Sequence, residues 1–236
     1  MALFAYQQLT QLLLRDVTQE EFNPGDLTTY INIARNQVAG EGQCVRYVAT
    51  FTTIPSVFTI AFYQATIVAG LGINTPLNVR NLSYNVNSNY TVLTFRPFEW
   101  FFRYCYNNNT PSGNPTTWTQ YGEGEGGYIY LYPTPGVAIP LQADCACVPN
   151  PLALDTDNEA IPPLWTDAIP YYAAYQALLS SKDEKARGEA KGMWERYAEF
   201  MARARRFATT PILPAYVPMA GVTQPSISQR GGGNAV

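Results

Sequence analysis

Histidine is absent from this chain, and charged residues are scarce. Without histidine there can be no Ser-His-Asp triad, no Cys-His dyad and no HExxH zinc site. Charged residues make up 14% of the 236 residues, with a net charge of −3. An average soluble domain has about 25% charged residues. No basic excess is therefore present to recruit nucleic acid through counterion release, and no histidine-dependent enzyme is expected.

A long stretch of the chain carries no charge, which raises the question of a membrane span. It lies between Arg46 and Arg80 and contains Pro55, Gly70 and Pro76. A spanning helix needs about 20 mainly apolar residues, which this interrupted stretch does not supply. The first residues lack the basic segment of a secretory signal, so we expect neither export nor a membrane partner.

The four cysteines, Cys44, Cys105, Cys145 and Cys147, form no CxxC pair. Cys145 and Cys147 would face one side of a strand because they are two residues apart. We interpret the cysteines as small buried hydrophobic residues in a reducing compartment, and consider a metal site or disulfides the weaker alternatives.

Aromatic residues are abundant, with 17 tyrosines and 11 phenylalanines. Tyr128, Tyr130 and Tyr132 alternate along a predicted strand and would share one face. We expect that face to pack internally or against another subunit. Together with Trp118 and Tyr121 it could alternatively form an aromatic platform for a sugar.

Helical patterns occur at both ends of the chain. Residues 3–16 predict an amphipathic helix with Leu9, Leu12 and Leu13 facing inward. A second helix is predicted to begin after Asn23, with Pro24 as its first residue, and to be stopped by Gly40 and Gly42. Further helices are predicted over 164–181, with a kink at Pro170, and over 184–208.

The middle of the chain is rich in β-branched and aromatic residues broken by Pro, Gly and Asn. Strands are predicted at residues 45–53, 57–63, 79–86, 90–96 and 128–132. The fold class is therefore predicted as α+β, a helical core of about four helices with a large β-rich insertion and an extended C-terminal arm. The predicted regions are N-terminal core helices at 1–42, the insertion at 43–150, C-terminal core helices at 151–209 and the arm at 210–236.

Two groups of acidic residues are candidates for chemistry. Asp155, Asp157 and Glu159 resemble the start of a calcium loop but lack its later Gly and Glu, so helix-start capping is favoured. Glu123 and Glu125 lie among glycines, which predicts a flexible turn rather than an acid-base pair.

Basic residues are concentrated in the last predicted helix. Arg196, Arg203 and Arg206 are separated by seven and three residues and therefore lie near one face, whereas Arg205 points about 100° away from Arg206. These three arginines are either a solvated face or an assembly contact with an acidic partner or with passing DNA.

The order helix, helix, β insertion, helix, helix, arm resembles the head-tail adaptor proteins of tailed bacteriophages, especially those of short-tailed phages. Several runs of sequence carry the likeness, namely residues 26–39, 128–135, 154–160, 161–165 and 167–174. The longer β block departs from the smallest adaptors.

The resemblance implies a virion structural protein, not an enzyme, with no metal and no cofactor. It implies a homo-oligomeric, dodecameric ring in the phage neck, assembled in the host cytoplasm. That ring would join the portal protein to the tail nozzle protein and leave a channel through which DNA passes during ejection. The arm would dock in a portal groove through Pro211, Ile212, Leu213, Pro214, Tyr216, Val217 and Pro218.

Two other classes of function stay open from the residues. One is a carbohydrate-binding tail or surface module that uses the aromatic β block. The other is a carboxylate-dependent hydrolase that uses Asp155, Asp157 or Glu159.

Overall fold

A computed structural model of the chain describes residues 2–16, 21–67, 71–86, 89–106, 111–181 and 184–208. Helices lie at both ends of this described part, and several sheets lie between them. The α+β class is therefore confirmed.

The α-helices in the described residues are α1 (Ala2–Leu14), α2 (Pro24–Gly42), α3 (Phe98–Phe101), α4 (Pro163–Thr166), α5 (Ile169–Ser180) and α6 (Glu184–Ala208). Helix α5 contacts α1, α2 and α6. Its apolar side chains are buried on several sides, as expected for a helix surrounded by others.

Helix α2 begins as its sequence predicts. The Asn23 side chain accepts a 2.9 Å hydrogen bond from the Asp26 backbone N–H, and Pro24 is the first helical residue. The helix continues through Gly40 and ends at Gly42, where Gln43 adopts the left-handed conformation. The prediction that Gly40 stops the helix is therefore wrong.

The helix predicted over 164–181 is two helices, α4 and α5. Pro170 lies in the first turn of α5, where its missing N–H breaks no helical hydrogen bond. The predicted kink is therefore a helix boundary.

The strands in the described residues are β1 (Arg46–Thr52), β2 (Thr59–Ala61), β3 (Ile73–Val86), β4 (Asn89–Val92), β5 (Thr94–Phe95), β6 (Ser112–Gly113), β7 (Thr117–Tyr121), β8 (Tyr128–Tyr132), β9 (Thr134–Pro135) and β10 (Pro140–Pro149). One sheet has the order β1-β10-β3-β4, and a second has the order β2-β8-β7-β5. Strands β6 and β9 form a small parallel pair.

Strand β10 pairs antiparallel with β1 on one side and with β3 on the other. It was not among the predicted strands, and neither was β7. Leu141, Ala143, Cys145 and Cys147 alternate along β10 and are buried. This period of two is the signal by which the sequence could have indicated the strand.

A continuous core joins the helices to both large sheets. It includes Ile31 and Val38 of α2, Leu82 of β3, Ile129 of β8 and Tyr197 of α6. Because one core extends through both parts, the position of the sheets relative to the helices is fixed by packing.

Candidate assembly surfaces

The basic end of α6 brings two of the three predicted arginines together. Arg196 Nη1 donates a 3.0 Å hydrogen bond to Glu199 Oε2, and the Arg203 guanidinium lies 6.0 Å from the Phe207 ring centroid. Arg196 and Arg203 line one cavity of about 220 Å³. Arg206 is exposed one residue after Arg205 and does not line this cavity.

Arg205 points to a different neighbour, as its helical position predicts. Its Nη2 atom donates a 3.1 Å hydrogen bond to Glu41 Oε2, near the end of α2. This contact holds the end of α6 against α2, so Arg205 has a role inside the subunit.

An apolar groove adjoins the arginine cavity. It has a volume of about 540 Å³, and its lining includes Tyr6, Leu9, Leu12, Leu13, Tyr171 and Phe200. Tyr171 and Phe200 stack with ring centroids 5.0 Å apart and also line the arginine cavity. The basic and apolar features therefore form one continuous surface.

The leucines of α1 contradict the predicted orientation of that helix. Leu9 is 50% exposed and Leu12 is 64% exposed, whereas Leu3, Tyr6 and Thr10 are buried. The buried side follows the spacing of three and four residues and contacts α5. The prediction that Leu9 and Leu12 face inward is therefore wrong, and these side chains form an open wall of the groove.

The three acidic residues after β10 lie in the loop before α4, whose N-cap Pro162 makes no side-chain capping hydrogen bond, so the start of α4 is not capped as predicted. Asp155 instead caps the start of α1, where its Oδ1 accepts a 3.2 Å hydrogen bond from the first-turn N–H of Phe4. Asp157 Oδ2 accepts 2.7 Å hydrogen bonds from the N–H groups of Ala153 and Leu154. These backbone donors lower the pKa of the Asp157 carboxyl.

Glu159 has a different partner, which the sequence did not indicate. Arg35 Nη2 and Nε donate to its two carboxylate oxygens over 2.9 and 3.0 Å. Burial is the main cause that raises the pKa of Tyr6, and the nearby Glu159 carboxylate raises it further. The one available signal was an arginine on the apolar face of α2, four residues after Ile31.

Acidic and thiol groups do not gather into a metal site in the described residues. No group of three or more His, Cys, Asp or Glu side chains is placed there to hold a metal ion. All four cysteines are free thiols, and Cys105, Cys145 and Cys147 are buried. This burial agrees with their interpretation as small hydrophobic residues.

The predicted tyrosine face of β8 is partly covered. Tyr130 packs edge-on against Phe98 and Phe101, with ring centroids 5.3 and 5.6 Å away. Tyr128 is 41% exposed, and the intervening Ile129 and Leu131 are fully buried. Alternation therefore puts isoleucine and leucine in the core and the tyrosines on the outer side, partly beneath α3.

The glycine-rich turn between β7 and β8 forms one turn of 3-10 helix at Gly124–Gly126. The Gly127 N–H donates a 3.0 Å hydrogen bond to the Gly124 carbonyl, and the Phe62 N–H donates a 2.9 Å bond to the Gly127 carbonyl. Glu123 and Glu125 are exposed on this turn. The structure therefore places both carboxylates at the surface, outside any shared buried site.

A family model for the SU10 adaptor protein matches residues 4–215. This chain belongs to the SU10 adaptor family. The resemblance to tailed-phage head-tail adaptors is thereby confirmed. No curated protein matches the chain significantly.

Membership of the SU10 adaptor family identifies a structural adaptor protein of a phage. Such a protein belongs to the virion neck and associates with the portal and tail proteins. Across the described ranges, no helix combines the length and the apolar character that crossing a bilayer requires.

The SU10 adaptor match extends past the end of α6 into the predicted arm. The seven arm residues predicted to dock on the portal, Pro211, Ile212, Leu213, Pro214, Tyr216, Val217 and Pro218, lie outside the described residues.

Proposed function

We propose that this adaptor forms a dodecameric ring that joins the portal to the tail and leaves a channel for DNA exit. The observation that carries the proposal is the apolar groove that adjoins the Arg196 and Arg203 cavity. A monomer rarely leaves a large apolar surface open unless a partner covers it. Together with the family match, this surface favours contact between copies.

In this proposal the regions of the chain have separate roles. The helices of 1–42 and 151–209 form the part shared between neighbouring copies. The β-rich region 43–150 projects from the ring toward the tail nozzle, and the arm 210–236 reaches a groove of the portal. A proline-rich segment with Arg230 as its single charged side chain and little periodic apolar pattern suits docking on a partner.

The arginine face of α6 is proposed to meet protein rather than DNA. A conduit should let DNA slide, and a strongly basic lining would hold it through counterion release. The chain has a net charge of −3, which agrees with a transient, non-specific passage of DNA. Arg196, Arg203 and Arg206 are therefore assigned to a neighbouring subunit or the portal. Assembly is proposed to occur in the host cytoplasm.

The experiment that tests this function is electron microscopy of the full-length protein mixed with its portal. We expect a ring on the portal and no ring from the protein alone, because the portal acts as the template. Deletion of residues 210–236 should preserve the fold and abolish docking. A matched deletion of residues 221–236 keeps Pro211–Pro218 and should still dock.

Two outcomes would contradict the proposal. The first is normal portal docking by the protein without residues 210–236, which would remove the arm from the mechanism. The second is a protein that binds a glycan on an array and never binds the portal, which would favour the carbohydrate-binding alternative.

A further inference from the structure

The groove between α1, α5 and α6 needs an occupant before any ring exists. Leu9 and Leu12 expose half or more of their surface in its wall, and such patches promote aggregation when they stay open. We propose that residues 211–218 of the same chain fill this groove in the unassembled protein. The inference rests on the proposed function, because the same residues are assigned there to portal docking.

The chemistry of the segment fits the groove. The run Pro-Ile-Leu-Pro-Ala-Tyr-Val-Pro at 211–218 contains three prolines and no charged residue. Proline-rich segments favour the polyproline II conformation, which binds in grooves lined by aromatic side chains. The groove has such a lining in Tyr6, Tyr171 and Phe200, and Asp167 is the only charged residue among its lining side chains.

The position of the helix end makes the contact reachable. Tyr171, near the start of α5, stacks on Phe200 in the last third of α6, and Tyr175, one turn later in α5, packs against Trp194, which comes earlier in α6. The two helices are therefore antiparallel. Phe200 precedes the helix end at Ala208 by eight residues, which is about 12 Å along the axis. An extended chain gains about 3.3 Å per residue, so residues 209–212 cover about 13 Å and bring Leu213 level with Phe200. The segment can therefore turn back beside α6 and enter the groove.

This contact would couple ring formation to the portal. While the segment covers Leu9 and Leu12, a neighbouring copy cannot use that surface. When the portal binds the same segment, the groove opens to the adjacent copy. Rings would then close on the portal and not in free solution.

A fluorescent peptide of residues 209–220 tests the occupancy without any portal. It would be titrated into the full-length protein and into a full-length variant with Ile212→Ser, Leu213→Ser and Tyr216→Ser. A tethered segment has an effective concentration of about 1 mM, so against a Kd of about 50 μM it raises the apparent Kd of the peptide about 20-fold. We therefore expect the variant to bind the peptide at least tenfold more tightly than the natural protein does.

Two further substitutions locate the binding site in the variant background. Leu12→Glu should abolish peptide binding, because it places a charge in the groove wall. Ile33→Glu changes a residue of α2 that is 42% exposed and does not line the groove, so binding should persist. Circular dichroism and the melting temperature confirm that each protein is folded.

Three results would overturn the inference. The first is that a folded variant with the three arm substitutions fails to bind the peptide. The second is equal peptide affinity in the variant and the natural protein, which would mean that the groove is not occupied. The third is concentration-dependent association of the natural protein that the arm substitutions abolish, which would assign the groove to the arm of a second copy. All three are measured without the portal, so failure of portal docking is a separate result.

Discussion

Arg35 and Glu159 form a bidentate ion pair that joins the middle of α2 to the loop before α4. The Arg35 side chain is 1% exposed and that of Glu159 is 15% exposed. Arg35 also donates a 2.6 Å hydrogen bond to the Asn150 carbonyl, directly after β10. One guanidinium therefore fixes both ends of the segment that connects the sheets to the C-terminal helices.

Removing the Arg35 charge should strongly destabilise the protein. Arg35→Met leaves the Glu159 carboxylate without its cation, and breaking a buried pair in this way costs about 3–5 kcal/mol. The double variant with Arg35→Met and Glu159→Leu should recover much of that loss, since no unpaired charge remains. Urea unfolding measures both.

The exposed pair between Lys191 and Glu195 provides the control, with side chains 83% and 66% exposed. Lys191→Met should change the free energy of unfolding by less than about 1 kcal/mol. If Arg35→Met were equally mild, the pair between Arg35 and Glu159 would have no role in stabilising the fold.

Two glycines in helices should respond to alanine in opposite directions. A Cβ atom at Gly42 would lie 2.8 Å from the Trp165 ring, so Gly42→Ala should destabilise the end of α2 by about 1–3 kcal/mol. A Cβ atom at Gly188 meets nothing within 4 Å, so Gly188→Ala should stabilise α6 by up to about 1 kcal/mol. Thermal unfolding measures both changes. If both substitutions changed stability in the same direction, the packing described around Gly42 and Gly188 would be contradicted.

The helices were predictable where capping residues, proline positions and apolar spacing all indicated the same helix. Helix α6 covers Glu184–Ala208, as its sequence predicts, because no proline interrupts it and its apolar residues recur every three or four positions. Asn23 and Pro24 fixed the start of α2 through a side-chain cap and a preset φ angle. Phe207 continues the apolar spacing of α6 but is 66% exposed, because it lies in the last turn of the helix.

The candidate surface was less predictable because it depends on contacts distant in sequence. Arg35 and Glu159 are 124 residues apart, so neither residue indicates the other. In α1 the apolar residues lie on more than one side, and only the position of α5 decides which of them are buried. The proximity of Arg196 and Arg203 followed from helical spacing, but their joint cavity with Tyr171 depends on the packing of α5 against α6.

The buried thiols should make the fold sensitive to alkali. Burial raises the pKa of Cys145 to about 12 and that of Cys147 to about 11, from the ordinary thiol value of 9.0. Above pH 9 the unfolded chain loses these protons while the native state keeps them. The contribution of these thiols to the free energy of unfolding is therefore fully present below pH 9. It is lost as the pH rises toward 11, by up to about 1.4 kcal/mol per pH unit for each thiol.

Cys145→Ala should reduce that slope, because alanine carries no titrating thiol. For each protein, the free energy of unfolding at pH 10.5 is subtracted from that at pH 8. A loss of packing in Cys145→Ala lowers both values equally and therefore cancels in this difference. Between pH 7 and pH 8 the free energies of unfolding of the natural protein and the Cys145→Ala variant should change with pH in the same way. An unchanged slope above pH 9 in the variant would mean that Cys145 does not contribute to the alkaline loss of stability.

The last prediction concerns the arginines at the end of α6. Arg203 lies over the Phe207 ring beside the groove, and Arg206 is exposed on the following turn. Reversal of both charges, Arg203→Glu with Arg206→Glu, should weaken ring or portal assembly by placing like charges against an acidic partner. The effect should be largest at low salt, because added ions screen exposed charges. The free energy of unfolding should change by no more than about 1 kcal/mol.

Lys191→Glu is the matched control for this charge reversal. Lys191 is on the same helix and highly exposed, but it lies outside the arginine cavity. If assembly depended only on the net charge of α6, both variants would be impaired in proportion to the charge changed. If Arg203 and Arg206 contact an acidic partner, the double reversal impairs assembly well beyond that proportion. Normal assembly of the double variant at low salt would show that these arginines are a solvated face of the helix.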